Sequence, residues 1–193
     1  MKEGLHIVGM GHYVPEHVVT NDDLSKIVDT NDEWISSRTG IRRRHFITDE
    51  KNQDMAIAAA KMAIEDAGID KSEIGVVIVA TIRPDHMTPS VACMVQKELE
   101  LPQDIPCFDI NAACSGFMYG VQIARGMLLQ NDKKYGVVVG SETLSKILDM
   151  NDRSTCILFG DGAGAAVVEL SDTHRYFGIL GAKGDDSVLE CSN

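Results

Sequence analysis

Cys107-Phe108-Asp109-Ile110-Asn111-Ala112-Ala113-Cys114-Ser115-Gly116-Phe117 passes from a short apolar strand, through a turn of small residues, into an apolar helix that runs from 114 to about 130. Upstream, Gly75-Val76-Val77-Ile78-Val79-Ala80 is a continuous β-branched run, the pattern of a strand covered on both faces in a parallel sheet. Between the two, Thr88-Pro89 predicts a helix reaching Glu100, with Thr as cap and Pro at the first helical position. Downstream, 136–140 repeats the strand pattern. Strands separated by helices of this length imply right-handed crossovers on a mainly parallel sheet, an α/β fold.

Further out, 5–10 reads as a first strand and Thr20-Asn21-Asp22-Asp23-Leu24 as a helix start, followed by a loop from Asp29. From 53 to 67, Met55, Ala59, Met62, Ala63 and Ala67 recur at helical spacing, and Gly68 supplies a stop. The segments 162–170 and 176–182 read as a closing antiparallel pair, and 181–187 as a loop after which the chain stops in mid-fold.

Eighteen Lys and Arg against 29 Asp and Glu leave a net charge of −11 in 193 residues, which argues against nucleic acid as a partner. Hydrophobic residues make up 44% and charged residues 24%, and no apolar run approaches the roughly 20 residues that span a bilayer. No membrane association is expected, and the N-terminus lacks a secretory core, so the expected location is cytoplasmic. The five cysteines include no CxxC pair, unlike a zinc site or a disulfide framework. No metal is expected.

Three stretches could carry chemistry. Cys114 follows a strand at the start of a helix, where partial positive charge favours a thiolate and free amides can stabilise an oxyanion. The alternative is one more buried small hydrophobe, the reading that Cys93, Cys107, Cys156 and Cys191 receive. The run 30–41 holds the only tryptophan, Trp34, before Arg42, Arg43 and Arg44; an indole and arginines could meet a purine and phosphates, or form core and solvated face. The glycines of Asp152-Arg153-Ser154-Thr155-Cys156-Ile157-Leu158-Phe159-Gly160-Asp161-Gly162-Ala163-Gly164-Ala165 could cradle a phosphate, as in actin-like kinases, or permit close packing before a strand.

Taken together and in this order, NDEWISSRTGI, DINAACSGF and DRSTCILFGDGAGA resemble β-ketoacyl-acyl-carrier-protein synthase III, over residues 5–181. The resemblance implies a thiolase-like fold of αβαβα layers built from two similar halves, and a homodimer. It implies transfer of an acyl group from acyl-CoA to a cysteine, then decarboxylative condensation with malonyl-ACP, with no cofactor. The nucleophile falls on Cys114. The adenine-stacking pair falls on Trp34 and Arg153, with Thr30 and Arg38 in the same CoA-contacting stretch. Leu144 and Phe159 fall on acyl-pocket positions. So does Thr88, where family members restricted to acetyl primers carry Phe and where the segment reaches the partner's pocket. The family's catalytic His and Asn, in HQAN-like and GNTSAAS-like motifs, fall on no position of this chain. Residues 1–175 are therefore expected to form the N-terminal half and 176–193 the start of the second. A missing C-terminal half becomes a required partner, together with acyl carrier protein. A related thiolase-fold acyl-transferring enzyme and a non-catalytic CoA-binding subunit are the competing readings.

Overall fold

A computed structural model describes residues 4–185 and 187. In chain order the elements are β1 (Gly4–Tyr13), β2 (Val18–Thr20), α1 (Asn21–Leu24), α2 (Asp32–Thr39), β3 (Arg43–His45), α3 (Asn52–Ala67), β4 (Ile74–Ala80), α4 (Val91–Glu98), β5 (Cys107–Ile110), α5 (Gly116–Leu128), β6 (Tyr135–Thr143), α6 (Arg153–Cys156) and β7 (Asp161–Ser171). Five strands form one sheet in the order β1-β7-β6-β4-β5. β4 runs parallel to β5 and β6, while β7 is antiparallel to both β6 and β1, so only β7 opposes the common direction.

Every residue of β4 is buried, which the unbroken β-branched run anticipates. Val77 and Val79 face α3 and α4, whereas Val76 and Ile78 face α5. Ile74 joins the first set because the register shifts between Ile74 and Val76. Each such side chain contributes about 1.5–3 kcal/mol on burial, so the sheet centre is the stiff part of the molecule. On one face α3 presents Ala56, Ala59, Ala60 and Ala63, small enough for the helix to lie close on β1. The approach is so tight that a Cβ at Gly9 or Gly11 would sit 2.4 Å from Ala63 O or 2.2 Å from Ala59 O. Met62, expected on the buried face, is instead 42% exposed, because the contact stripe follows 56, 59, 60 and 63. The helix ends as expected, at Gly68 with φ of 61°.

A smaller unit packs beside the sheet. Antiparallel β2 and β3 pair Val19 with Arg44, and Val19, Leu24, Ile35, Cys156 and Ile157 form its core. The expected loop after Asp29 contains helix α2, started by the Asn31 side chain accepting from Trp34 N. Of the three consecutive arginines, Arg42 and Arg43 are exposed but Arg44 is buried, donating to Val19 O (3.3 Å) and Ile157 O (3.0 Å).

Two further expectations are corrected. α4 begins at Val91, and Ser90, not Thr88, is its cap, accepting from Cys93 N (3.1 Å). Residues 176–182 form no strand; β7 is satisfied on both edges by β1 and β6 and has no edge left to pair.

Candidate active site

Three strands, β4, β5 and β6, stop at one end of the sheet, and β7 begins there. Ala80 of β4 pairs with Ile110 of β5 and with Gly140 of β6, and Thr143 of β6 pairs with Asp161 of β7. The connections leaving these ends carry Thr88, Cys114, Leu144, Arg153 and Phe159. Sites in α/β sheets lie outside the carboxyl ends of parallel strands, where backbone groups run out of partners and side chains converge.

Cys114 sits at the middle of a one-turn 3₁₀ helix, Ala113–Ser115, immediately ahead of α5. Cys114 is exposed among the described residues. The turn is held by Asn111, whose Oδ1 accepts from Ala113 N (3.3 Å), and by Ser115 N donating to Ala112 O (3.1 Å). Ala113 has φ of 46°, an αL conformation that costs a non-glycine residue about 1–2 kcal/mol. Gly116 lets α5 start directly on β4: a Cβ there would lie 2.9 Å from Ala80 Cβ.

Phe117 of α5 lies 3.9 Å from the Cβ position of Gly140 on β6. Leu144 opens the 3₁₀ turn Leu144–Lys146 and is half-buried, as is Phe159. Asp161 ties that turn down, accepting from Ser145 N (2.8 Å) and Ser145 Oγ, and from Ile47 N (2.8 Å). Thr88 is exposed beside fully exposed Met87.

The small unit brings Trp34, Arg38 and Arg153 together. The guanidinium carbons of Arg38 and Arg153 lie 4.5 and 4.9 Å from the indole centroid. Arg153 also donates to Asp29 O (2.9 Å), beside an open cavity of about 500 Å³ lined by Ile27, Val28, Asp29, Asn151 and Arg153. At 4.9 Å no aromatic ring fits between Arg153 and Trp34, so a base stacking there has to displace the guanidinium. Thr30, next in the chain to Asp29, has a buried Oγ1 without a partner.

The other described cysteines keep their structural roles: Cys93 lies within α4, Cys107 begins β5, and Cys156 is buried at the end of α6. Burial pushes the Cys107 thiol up to about 11. Cys191 lies outside the described residues. No cluster of three metal-ligating side chains occurs among the described residues, and none of their helices is long and apolar enough to cross a membrane.

Sequence reading missed a set of half-buried acids. Asp109 accepts from Val91 N (2.7 Å) and Ala92 N (2.8 Å), and Glu142 from Ile82 N (2.6 Å). The available signal was a carboxylate inside or ending an otherwise apolar strand. Desolvation raises the pKa of both, opposed in part by those amides.

Fold and site geometry define a thiolase-like α/β protein with a cysteine at a strand-to-helix turn. The chain matches solved 3-oxoacyl-[acyl-carrier-protein] synthase III from Aquifex aeolicus with a TM-score of 0.83 and 47% identity, covering 88% of this chain and 55% of that one. It matches the priming β-ketosynthase of the R1128 polyketide pathway with a TM-score of 0.83 and 38% identity, covering 90% and 52%. Residues 108–184 match the family model of 3-oxoacyl-[acyl-carrier-protein] synthase III. The β-ketoacyl-[acyl-carrier-protein] synthase III of Acholeplasma laidlawii is 51% identical over 189 residues, 96% of this chain and 61% of that protein. That of Clostridium acetobutylicum is 52% identical over 181 residues, 93% of this chain and 55% of that protein. Over nearly its whole length the chain is thus similar to β-ketoacyl-acyl-carrier-protein synthase III enzymes, and it spans 55–61% of the length of these two curated relatives.

Proposed function

We propose that this chain carries the acyl-accepting part of a condensing enzyme that starts fatty acid synthesis. The observation that supports this most is the exposed Cys114 in its strand-to-helix turn, at the sheet end whose β6–β7 connection also carries Arg153 of the Trp34–Arg38–Arg153 cluster. In the first half-reaction the Cys114 sulfur attacks the carbonyl carbon of an acyl-CoA. The tetrahedral oxyanion collapses, the bond to CoA sulfur breaks, and CoA leaves with the proton that the cysteine lost. The Cys114 backbone N–H is the oxyanion donor closest to the sulfur by covalent geometry, since Ser115 N–H is committed to Ala112 O. In the second half-reaction malonyl-ACP loses CO2. The resulting carbanion forms a carbon–carbon bond to the acyl carbonyl carbon and frees the Cys114 thiolate.

In this reading Trp34 and Arg153 take the adenine of CoA, with Thr30 and Arg38 beside them, and Thr88, Leu144 and Phe159 shape the acyl pocket. Acyl carrier protein brings the extender, no cofactor takes part, and the protein works as a cytoplasmic homodimer. Residues 1–175 act as the N-terminal half and 176–193 as the start of the second. The His and Asn that promote decarboxylation belong to a C-terminal half that completes the site. A related condensing enzyme of secondary metabolism shares the first half-reaction, but curated relatives at about half identity favour the fatty acid role.

The test is intact-mass analysis after incubation with acetyl-CoA. One acyl group per chain is expected in the unsubstituted protein and none in Cys114→Ala. An equal mass gain in both proteins would contradict the assignment.

A further inference from the structure

The segment 81–90 leaves β4 at the site and enters α4, and its tip, 86–89, is exposed. A surface tip of this kind is ordinarily mobile, yet here each flank is gripped by a carboxylate from a neighbouring strand. On the β4 side Glu142 of β6 accepts from Ile82 N at 2.6 Å, with Thr81 Oγ1 3.5 Å from its other oxygen. On the α4 side Asp109 of β5 accepts from Val91 N and Ala92 N at 2.7 and 2.8 Å. Between them the segment's own Asp85 reaches across to Asn52 N (3.1 Å) and Gln53 N (2.8 Å) at the start of α3. Buried Asn52 returns the contact, its Nδ2 bonding Thr81 Oγ1 (2.9 Å), Arg83 O (2.8 Å) and Ser141 O (3.2 Å). Hydrogen bonds to ionised acceptors are roughly twice as strong as neutral ones, and these bonds are made away from bulk water. Asp109 and Glu142 also lie on the strands whose ends lead into Cys114 and Leu144. The carboxylates that hold the segment are therefore built into the elements that carry the reacting sulfur and the pocket.

We propose that Glu142 and Asp109 are positioning residues that fix segment 82–92 on the carboxyl-end regions of β6 and β5 and thereby set which acyl groups are accepted by the pocket that its tip reaches across the proposed dimer. This rests on the function proposed above. Thr88 supplies the volume at the tip; the two carboxylates supply its place, and loss of either lets the tip move. A shift of about 1 Å at a pocket wall is enough to change discrimination between similar substrates.

The test uses the native protein with the near-isosteric variants Glu142→Gln and Asp109→Asn, and with Asp66→Asn as control. Asp66 accepts from Met10 N far from the segment and reports on general loss of a carboxylate–amide bond. Amide hydrogen exchange of peptides covering 82–92 is expected to quicken about tenfold or more in both variants, with β4 and β6 peptides unchanged and no response in the control. The ratio of Cys114 acylation rates with acetyl-CoA and isobutyryl-CoA is expected to shift about threefold or more in the same variants and to hold in the control. Unchanged exchange in 82–92 overturns the proposal, and so does faster exchange with an unmoved ratio. If the unsubstituted protein takes no acyl group at Cys114, the functional reading fails, and exchange alone decides whether the carboxylates hold the segment.

Discussion

Cys107 and Cys114 stand seven residues apart, at opposite ends of the same short strand, and their surroundings are opposed. Cys107 begins β5 among apolar neighbours, and its thiol is pushed up to about 11 by burial. Cys114 lies past the carboxyl end of β5, exposed, in a turn with a strained Ala113 and a glycine behind it. The same chemical group is half-buried at one end and accessible at the other, because the start of β5 packs on the apolar core while its carboxyl end opens into loops. Chemistry in this molecule is thus a matter of strand direction as much as residue type.

The sharpest way to break the comparison is to swap the fates of the two thiols. Cys114→Ala is expected to abolish acyl transfer while leaving thermal unfolding within a few degrees of the parent. Cys107→Ala is expected to retain transfer and lose about 1–2 kcal/mol of stability, measured by urea titration. The pH response sharpens the same contrast. Burial disfavours the thiolate, so Cys107 holds its proton well above the ordinary thiol range. Its alkylation by iodoacetamide in the folded protein should climb about tenfold per pH unit up to about 11, and at pH 8 should lag the unfolded protein by about a hundredfold or more.

Smaller effects are expected where the site is shared among several groups. Trp34→Ala removes the ring that both Arg38 and Arg153 cover. A loss of about 1–2 kcal/mol of stacking and cation–π contact should weaken acyl-CoA binding about five- to thirtyfold, read as KM for acyl-CoA. An unmoved KM would remove Trp34 from the CoA site. Gly116→Ala presses a methyl onto Ala80 and should cost about 1–3 kcal/mol, reported by the unfolding midpoint. Thr88→Phe should lower isobutyryl-CoA use relative to acetyl-CoA by about tenfold, within the range that one change of pocket volume supplies. Equal use of the branched primer by both proteins would free Thr88 of a role in selection.

Strand β4, helix α3 and the strand–turn–helix around Cys114 were legible because hydrophobic period and glycine placement are local signals. α2 was not, since its eight residues carry one buried side chain, Ile35, and almost no apolar stripe. The start of α4 was misread because Pro at a first helical position is only a permissive signal. The deciding contact, from Asp109 to Val91 and Ala92, spans 18 and 17 residues. β7 was legible as a strand, yet its partners β1 and β6 were not, because antiparallel pairing is not written in the strand's own residues. For the site, motif order singled out Cys114, Trp34 and Arg153 as candidates, and the structure brings Trp34 and Arg153 together. It did not reveal the acids at the strand ends or the buried Arg44, whose roles depend on partners distant in sequence.

The most direct measurement is peptide mapping of the acyl group after brief exposure of the native protein to acetyl-CoA and quenching at low pH. The account predicts the adduct on the peptide carrying Cys114, with Cys93, Cys107 and Cys156 unmodified. An adduct spread among these cysteines, or found on any of them in preference to Cys114, would contradict it.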